Sequence, residues 1–315
     1  MLSTASRRVR WALSLGLVLF FATLPCQGLN VGAVQLRLEE ELYASEQSFE
    51  DKMRSIVESA VRTTPTDLIV FPEYTSVFIA CIPYYWAIES AQTYGQALQM
   101  IIEAEPDMAS PFDLFIHAAP RVDRLVRRVF GGLAREYGVY ILAGTYFAAK
   151  QEPHGMVLRN RACVFDRLGR LVYAQDKVFL TDFEVEIVGL SPGRLSEAHP
   201  FAVGDTEVSL TVCRDTYEKV WEQKFAAVDL WIDIKANGQF YTAQTQESFQ
   251  RALPARIEAA SASYGLTVCL TGKFLDLFWE GKSSLVAKQG RGSALLREAH
   301  SAQQEAILHH RISDI

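Results

Sequence analysis

The sequence predicts a layered α/β protein, and three observations carry the prediction. Strand-like and helix-like segments alternate in both halves of the chain, the apolar runs are short and end at Gly, Pro or charged residues, and no short-period repeat breaks the rhythm. At 315 residues the chain is long enough to bury a sheet on both faces. Its composition is that of a folded protein, with 49% hydrophobic and 22% charged residues and a formal charge of -6. Lys and Arg are scattered, which argues against nucleic acid as a partner.

Residues 1–28 stand apart. Arg7, Arg8 and Arg10 precede an apolar run over 11–24, and Pro25, Cys26, Gln27 and Gly28 follow. That order is expected of a secretory signal cleaved after Gly28 or Ala22, or of a retained N-terminal anchor, the one route by which this chain would touch a membrane. Export to the periplasm or the medium is therefore expected. Of the five cysteines, Cys81, Cys163, Cys213 and Cys269 would survive cleavage, and an oxidising compartment permits up to two disulfides among them. None has metal-ligand spacing, and His154 and His199 add none, so no metal or other cofactor is expected.

Organised sequence begins at Leu29, where LNVGAVQL reads as a strand. A helix over 47–61 is marked by Phe49, Met53, Ile56, Val57 and Ala60 at helical spacing. The apolar strand 68–71 then runs straight into Pro72, Glu73 and Tyr74. Residues 78–120 are an atypical excursion, rich in aromatics and proline, with a helix near 94–103; a place in the substrate wall is expected of them. A helix over 122–137 and a strand over 139–143 follow, then paired strands over 160–166 and 170–175 around a turn at Leu168 and Gly169. The second half repeats the alternation with strands at 208–212, 230–234, 266–270 and 283–287 and helices at 218–227 and 249–264. The main domain is 29–290, and 291–315 reads as a polar helical tail carrying His309 and His310.

Three of these apolar segments end in reactive residues: LIVFPEY in Glu73, LVYAQDKVFL in Lys177 and VSLTVCRD in Cys213. Singly, each has a plain explanation, since Cys is often a small core residue, Lys177 could be a solvated hairpin charge and Glu73 a helix-start carboxylate. Together, and in this order, they resemble the nitrilase, or carbon–nitrogen hydrolase, superfamily, over about 29–287. Glu184 and the SPG turn at Ser191–Gly193 fit the same pattern. The resemblance implies a four-layer α-β-β-α sandwich, Cys213 as nucleophile, Glu73 as general base and acid, Lys177 stabilising the intermediate, and Glu184 in support.

A thiolate suits this chemistry because amides and nitriles are poor electrophiles. The backbone N–H of Arg214 is expected to join Lys177 at the developing oxyanion, and Asp215 to anchor the loop after the nucleophile. Tyr74, Tyr146 and the Arg214 side chain are candidate substrate contacts. Arg214 departs from the aromatic residue many relatives carry after the cysteine, and Phe179 stands where many have histidine. The activity expected is hydrolysis of a small-molecule carboxamide through an acyl-cysteine thioester. Acyl transfer to an amine, nitrile hydrolysis, or a non-catalytic binding or assembly role are the alternatives. A homo-oligomer is implied by the family.

Overall fold

The computed structural model describes residues 28–313, so the candidate signal or anchor and Cys26 lie outside the described residues. Among those described, no helix is long and apolar enough to cross a membrane. In chain order the first half comprises β1 (Leu29–Gln35), β2 (Arg37–Leu38), α1 (Glu46–Thr63), β3 (Leu68–Phe71), α2 (Tyr85–Ser90), α3 (Tyr94–Ala104), α4 (Pro111–Tyr137), β4 (Tyr140–Glu152), β5 (Gly155–Phe165) and β6 (Leu171–Asp176). The second half comprises β7 (Phe201–Val203), β8 (Thr206–Val212), α5 (Val220–Lys224), β9 (Leu230–Lys235), α6 (Ala243–Gln250), α7 (Leu253–Ala259), β10 (Tyr264–Cys269), β11 (Thr271–Phe274), β12 (Leu277–Trp279), β13 (Ser284–Gln289), β14 (Gly292–Glu298) and β15 (Ala306–Ile312).

Two six-stranded sheets form the centre, ordered β15-β1-β3-β4-β5-β6 and β14-β13-β10-β9-β8-β7, and a small sheet joins β12, β11 and β2. Strand alternation divides the apolar residues among three cores. On β3, Ile69 and Phe71 face α1 and α4, where they meet Phe49, Met53 and Phe130. Leu68 and Val70 face the other way, into a core shared with Val208, Leu210, Val212, Ile232 and Ile234 of the second sheet. Trp231 faces outward again, onto Trp221, Phe225, Leu253 and Ile257. Three cores stacked in this way make the four-layer α-β-β-α sandwich that the sequence predicts, and they explain why the central strands read as continuous apolar runs.

Several elements differ from expectation. The tail is not helical: β14 pairs with β13, and β15 pairs antiparallel with β1 along its length, from Leu29↔Ile312 to Gln35↔Ala306. The pairing makes β1 an interior strand and moves the sheet edge to β15, an arrangement that local periodicity does not reveal. The helix expected over 122–137 starts eleven residues earlier, at Pro111, capped by the Ser110 hydroxyl. Pro120 lies inside it; the backbone bond lost there is outweighed by an apolar face that includes Leu114, Phe115, Leu125, Val126 and Phe130. The late helix is split into α6 and α7, with Pro254 in the first turn of α7. Only Val220–Lys224 of the expected 218–227 helix forms. Cys81, Cys163, Cys213 and Cys269 are all free thiols, so none of the permitted disulfides is present among the described residues.

Candidate active site

Strand direction brings the reactive residues to one end of the sandwich. β3 is parallel to β4, β4 antiparallel to β5, and β5 antiparallel to β6, so β3 and β6 run the same way and discharge Glu73 and Lys177 at the same edge. In the second sheet β8 and β9 are parallel, and they end at Cys213 and Lys235. Glu73, Lys177, Cys213 and Lys235 line one cavity of about 730 Å³.

The Glu73 turn needs a bare backbone beside it. A Cβ on Gly144, whose φ is +67°, would stand 2.1 Å from the Pro72 carbonyl oxygen, so only glycine allows β4 to pass this close. Gly144 lies at a bulge in β4. The next residue, Thr145, accepts the Tyr74 N–H at 2.9 Å, and Thr75 donates to Pro72 at 2.8 Å. Tyr74 itself takes a left-handed φ of 63° and Cys213 one of 54°. A non-glycine residue in that region is held there by its surroundings, and two of them flank this cavity.

Lys177 is buried between two carboxylates. Its ammonium donates to Glu73 Oε1 and lies beside Glu184 Oε2, each at 2.8 Å. Asn160 binds the same two groups, donating through Nδ2 to Glu73 at 2.9 Å and to Glu184 at 2.8 Å. The second Glu73 oxygen accepts the Ala236 N–H at 2.9 Å. Glu184 sits in a single π-helical turn, Phe183–Val188, and also accepts from the Thr181 N–H and hydroxyl. A carboxylate so fully bonded is held in one place.

Burial is the largest influence on every charge here. It raises the Glu73 carboxyl above the ordinary carboxylate value, against the pull of Lys177. It works against the Lys177 ammonium, but the charges of Glu73, Cys213 and Glu184 outweigh it and leave that group above the usual lysine value. It also opposes ionisation of Glu184, where Lys177 and the hydrogen bonds win and hold the carboxyl low. The Cys213 thiol is pushed up to about 12 by burial, with Glu73 adding to the rise and Lys177 and Lys235 opposing it. A neutral thiol beside a desolvated carboxylate can ionise only as its proton leaves, which is the arrangement a general base needs.

Asp215 ties two parts of the site together. Its carboxylate accepts the N–H groups of Phe179 at 2.7 Å, Val178 at 3.1 Å and Val212 at 3.3 Å, so the loop after Lys177 is fastened to the turn that carries Cys213. Burial nevertheless raises this carboxyl to about 7. Phe179, in place of the family histidine, packs near Trp221 in the outer core.

Matched against models of known families, residues 30–299 fit the carbon–nitrogen hydrolase family. The chain belongs to that family. Carbon–nitrogen hydrolases of solved structure share its fold. One from Helicobacter pylori G27 superposes with a TM-score of 0.66 at 17% identity, over 90% of this chain and 89% of that one. An amidase from Nesterenkonia sp. AN1, in a variant complexed with butyramide, gives 0.63 at 18% identity over 90% and 91%. Another variant of that amidase, with an acetamide moiety covalently added at its active-site cysteine, gives 0.62 at 17% identity over 90% of both chains. A search of curated protein sequences returned no match.

Within this carbon–nitrogen hydrolase, Tyr74 and Arg214 line the cavity, and Tyr146 does not. Tyr146 is buried in the outer core and donates to Asp123 at 2.6 Å. The pairing of β4 is irregular between Leu142 and Thr145, and beyond it Tyr146, Phe147 and Ala148 all join Ile141 and Ala143 in the core under the helices. Nor does the 78–120 segment reach the cavity surface. It stands behind the wall, with Phe78 stacked on Phe274 at 3.9 Å and 5.9 Å from the Trp279 ring, and with the Tyr94 N–H held by Asp276 at 2.6 Å. Two residues escaped the sequence reading. Asn160 lay within a strand pair, and Lys235 is one residue beyond the expected strand; an Asp and a Lys two apart in the apolar run LWIDIK were the available signal.

Proposed function

We propose that this carbon–nitrogen hydrolase cleaves carboxamides through an acyl-cysteine thioester. The observation that carries the reading is the placement of a part-exposed Cys213 in one cavity with Glu73 and Lys177, the latter two ion-paired and fully buried. Glu73 takes the thiol proton as sulfur attacks the amide carbon. Lys177 and the Arg214 N–H stabilise the oxygen of the tetrahedral intermediate. Glu73 returns the proton to the departing nitrogen, then removes one from water as its oxygen attacks the thioester, releasing acid and restoring the thiol. Tight packing of Glu73 by Asn160 and Ala236 fits one carboxylate serving both halves of the cycle.

The cavity supports a substrate larger than a short-chain amide. At about 730 Å³ it is in the range that holds drug-sized ligands, and Tyr74, Tyr217, Phe249, Phe278 and Trp279 supply aromatic surface. Arg214 is exposed at the cavity and has no carboxylate partner among the described residues. It is suited to bind a carboxylate on the acyl or amine part of the substrate. Arg214→Ala is expected to raise KM about tenfold or more for amides bearing a carboxylate and to leave neutral amides of the same length unchanged, which steady-state kinetics on matched pairs will measure.

Intact-protein mass spectrometry tests the chemistry. Glu73→Gln incubated with a panel of amides is expected to accumulate an acyl adduct on the Cys213 peptide, while Cys213→Ala forms none. Turnover that survives in Cys213→Ala would exclude the thioester. Adding amine acceptors distinguishes hydrolysis from transfer by product.

A further inference from the structure

Lys235 is an unusual residue for its position. It ends β9 on the face that Trp231 and Asp233 share, turned toward the outer helices, where a lysine ordinarily runs its stem out to water. Instead it is 1% exposed. Its ammonium lies 2.9 Å from the buried Asp233 carboxylate and donates to the Cys213 carbonyl oxygen at 3.1 Å. The Tyr217 ring centroid is 4.8 Å away and that of Phe249 5.4 Å, so two aromatic faces complete the enclosure. Lys235 also forms part of the cavity lining.

An ion pair that served packing alone would be replaceable by apolar residues of similar volume. This one is aimed at the nucleophile. The Cys213 backbone has a φ of 54°, and the group that Lys235 holds is the carbonyl of that same residue. The next N–H along the chain, that of Ala236, binds Glu73. The end of β9 therefore grips the nucleophile's turn with one residue and the base with the next.

We propose that Lys235 is a positioning residue for the nucleophile, fixing the left-handed Cys213 turn through its carbonyl and placing a second positive charge beside the thiol. The inference rests on the reading of Cys213 as nucleophile given above. The charged and titratable groups facing the thiol come from four chain segments: Glu73 after β3 and, more remotely, its neighbour Tyr74, Lys177 after β6, Asp233 and Lys235 on β9, and, also more remotely, Cys269 on β10. Among these, Lys177 and Lys235 favour the thiolate, and only Lys235 also holds the Cys213 backbone.

Alkylation by iodoacetamide tests this without knowledge of the substrate, because the thiolate displaces iodide and the rate reports its availability. Rates resolved by peptide are to be followed against pH in the native protein, in Lys235→Met, in Lys235→Arg and in the double variant Lys235→Met with Asp233→Asn, which leaves no uncompensated buried charge. Circular dichroism establishes that each is folded. Lys235→Met is expected to label Cys213 about tenfold more slowly at a given pH, equivalent to about one pKa unit, and to move the pH–rate curve upward. The double variant moves it the same way by less, and Lys235→Arg, which keeps the charge, returns it toward the native curve. A folded double variant whose curve superposes on the native one overturns the proposal. If native Cys213 is labelled no faster than the buried Cys81, Cys163 and Cys269, it is the nucleophile reading that fails.

Discussion

Lys177→Met is expected to abolish turnover and to lower folding stability by about 3–5 kcal/mol, the usual cost of stranding a buried charge. Here two charges are stranded. Glu73 and Glu184 are fully buried, and Lys177 is the cation that both contact at 2.8 Å. The variant should also reverse part of the protein's response to pH. In the native protein burial holds Glu73 above its ordinary value while Lys177 holds Glu184 below it, so the two make opposing contributions. The Glu184 contribution is present above the unfolded pKa and lost as pH falls. Without Lys177 burial governs both carboxyls and raises both. A carboxyl raised in the folded state binds its proton more readily there than in the unfolded chain, so stability then climbs as pH falls through the raised value. Urea denaturation of Lys177→Met at about pH 8 and about pH 5.5 should find it more stable in acid. Equal loss at both pH values would mean that the carboxylates are not its partners.

Cys213→Ala and Cys213→Gly are both expected to lose turnover by about 10⁴-fold or more, as removal of a nucleophile does. Their stabilities should differ. With φ at 54°, Cys213 occupies the left-handed region, which costs an L-residue roughly 1–2 kcal/mol, and alanine inherits that cost. Glycine escapes it, although the freedom it adds to the unfolded chain cancels up to about 1 kcal/mol. The net expectation is that Cys213→Gly is more stable than Cys213→Ala by about 0.5–1 kcal/mol, read from urea midpoints at equal slope. An inactive variant that is more stable than another inactive variant would place the strain in the turn rather than in the thiol. If alanine proves the more stable, the turn is not strained in solution.

Much of the site could be read from the chain because chemistry and strand ends coincide. Glu73 comes two residues after the four-residue apolar strand LIVF and Cys213 directly after the buried stretch VSLTV, a pattern visible without a structure. Glu184 was visible only through family order, since nothing in FEVEIVG marks which of its two glutamates, Glu184 or Glu186, will be buried. Asn160 was hidden for a different reason: its two partners lie 87 and 24 residues away, and a polar residue within a strand announces no contact. Lys235 was hidden likewise, because its carbonyl partner, Cys213, sits in the turn after β8, 22 residues earlier. Tyr146 lies just beyond the irregularity that Gly144 introduces into β4, where Tyr146, Phe147 and Ala148 all join the core under the helices, so strict alternation could not place it. The tail failed where local and distant preferences part: AILHHRI has no strong period, and its partner is the strand at the other end of the domain.

The central core between the two sheets has a bearing beyond stability. Glu73 and Lys177 come from the first sheet, Cys213 and Lys235 from the second, and no covalent cross-link joins the described cysteines. A chain in which only one sheet has formed therefore holds either Glu73 and Lys177 without Cys213, or Cys213 and Lys235 without Glu73. With the roles proposed above, activity is expected to appear only once the two sheets have mated, so that during refolding its onset would follow the closure of the sandwich.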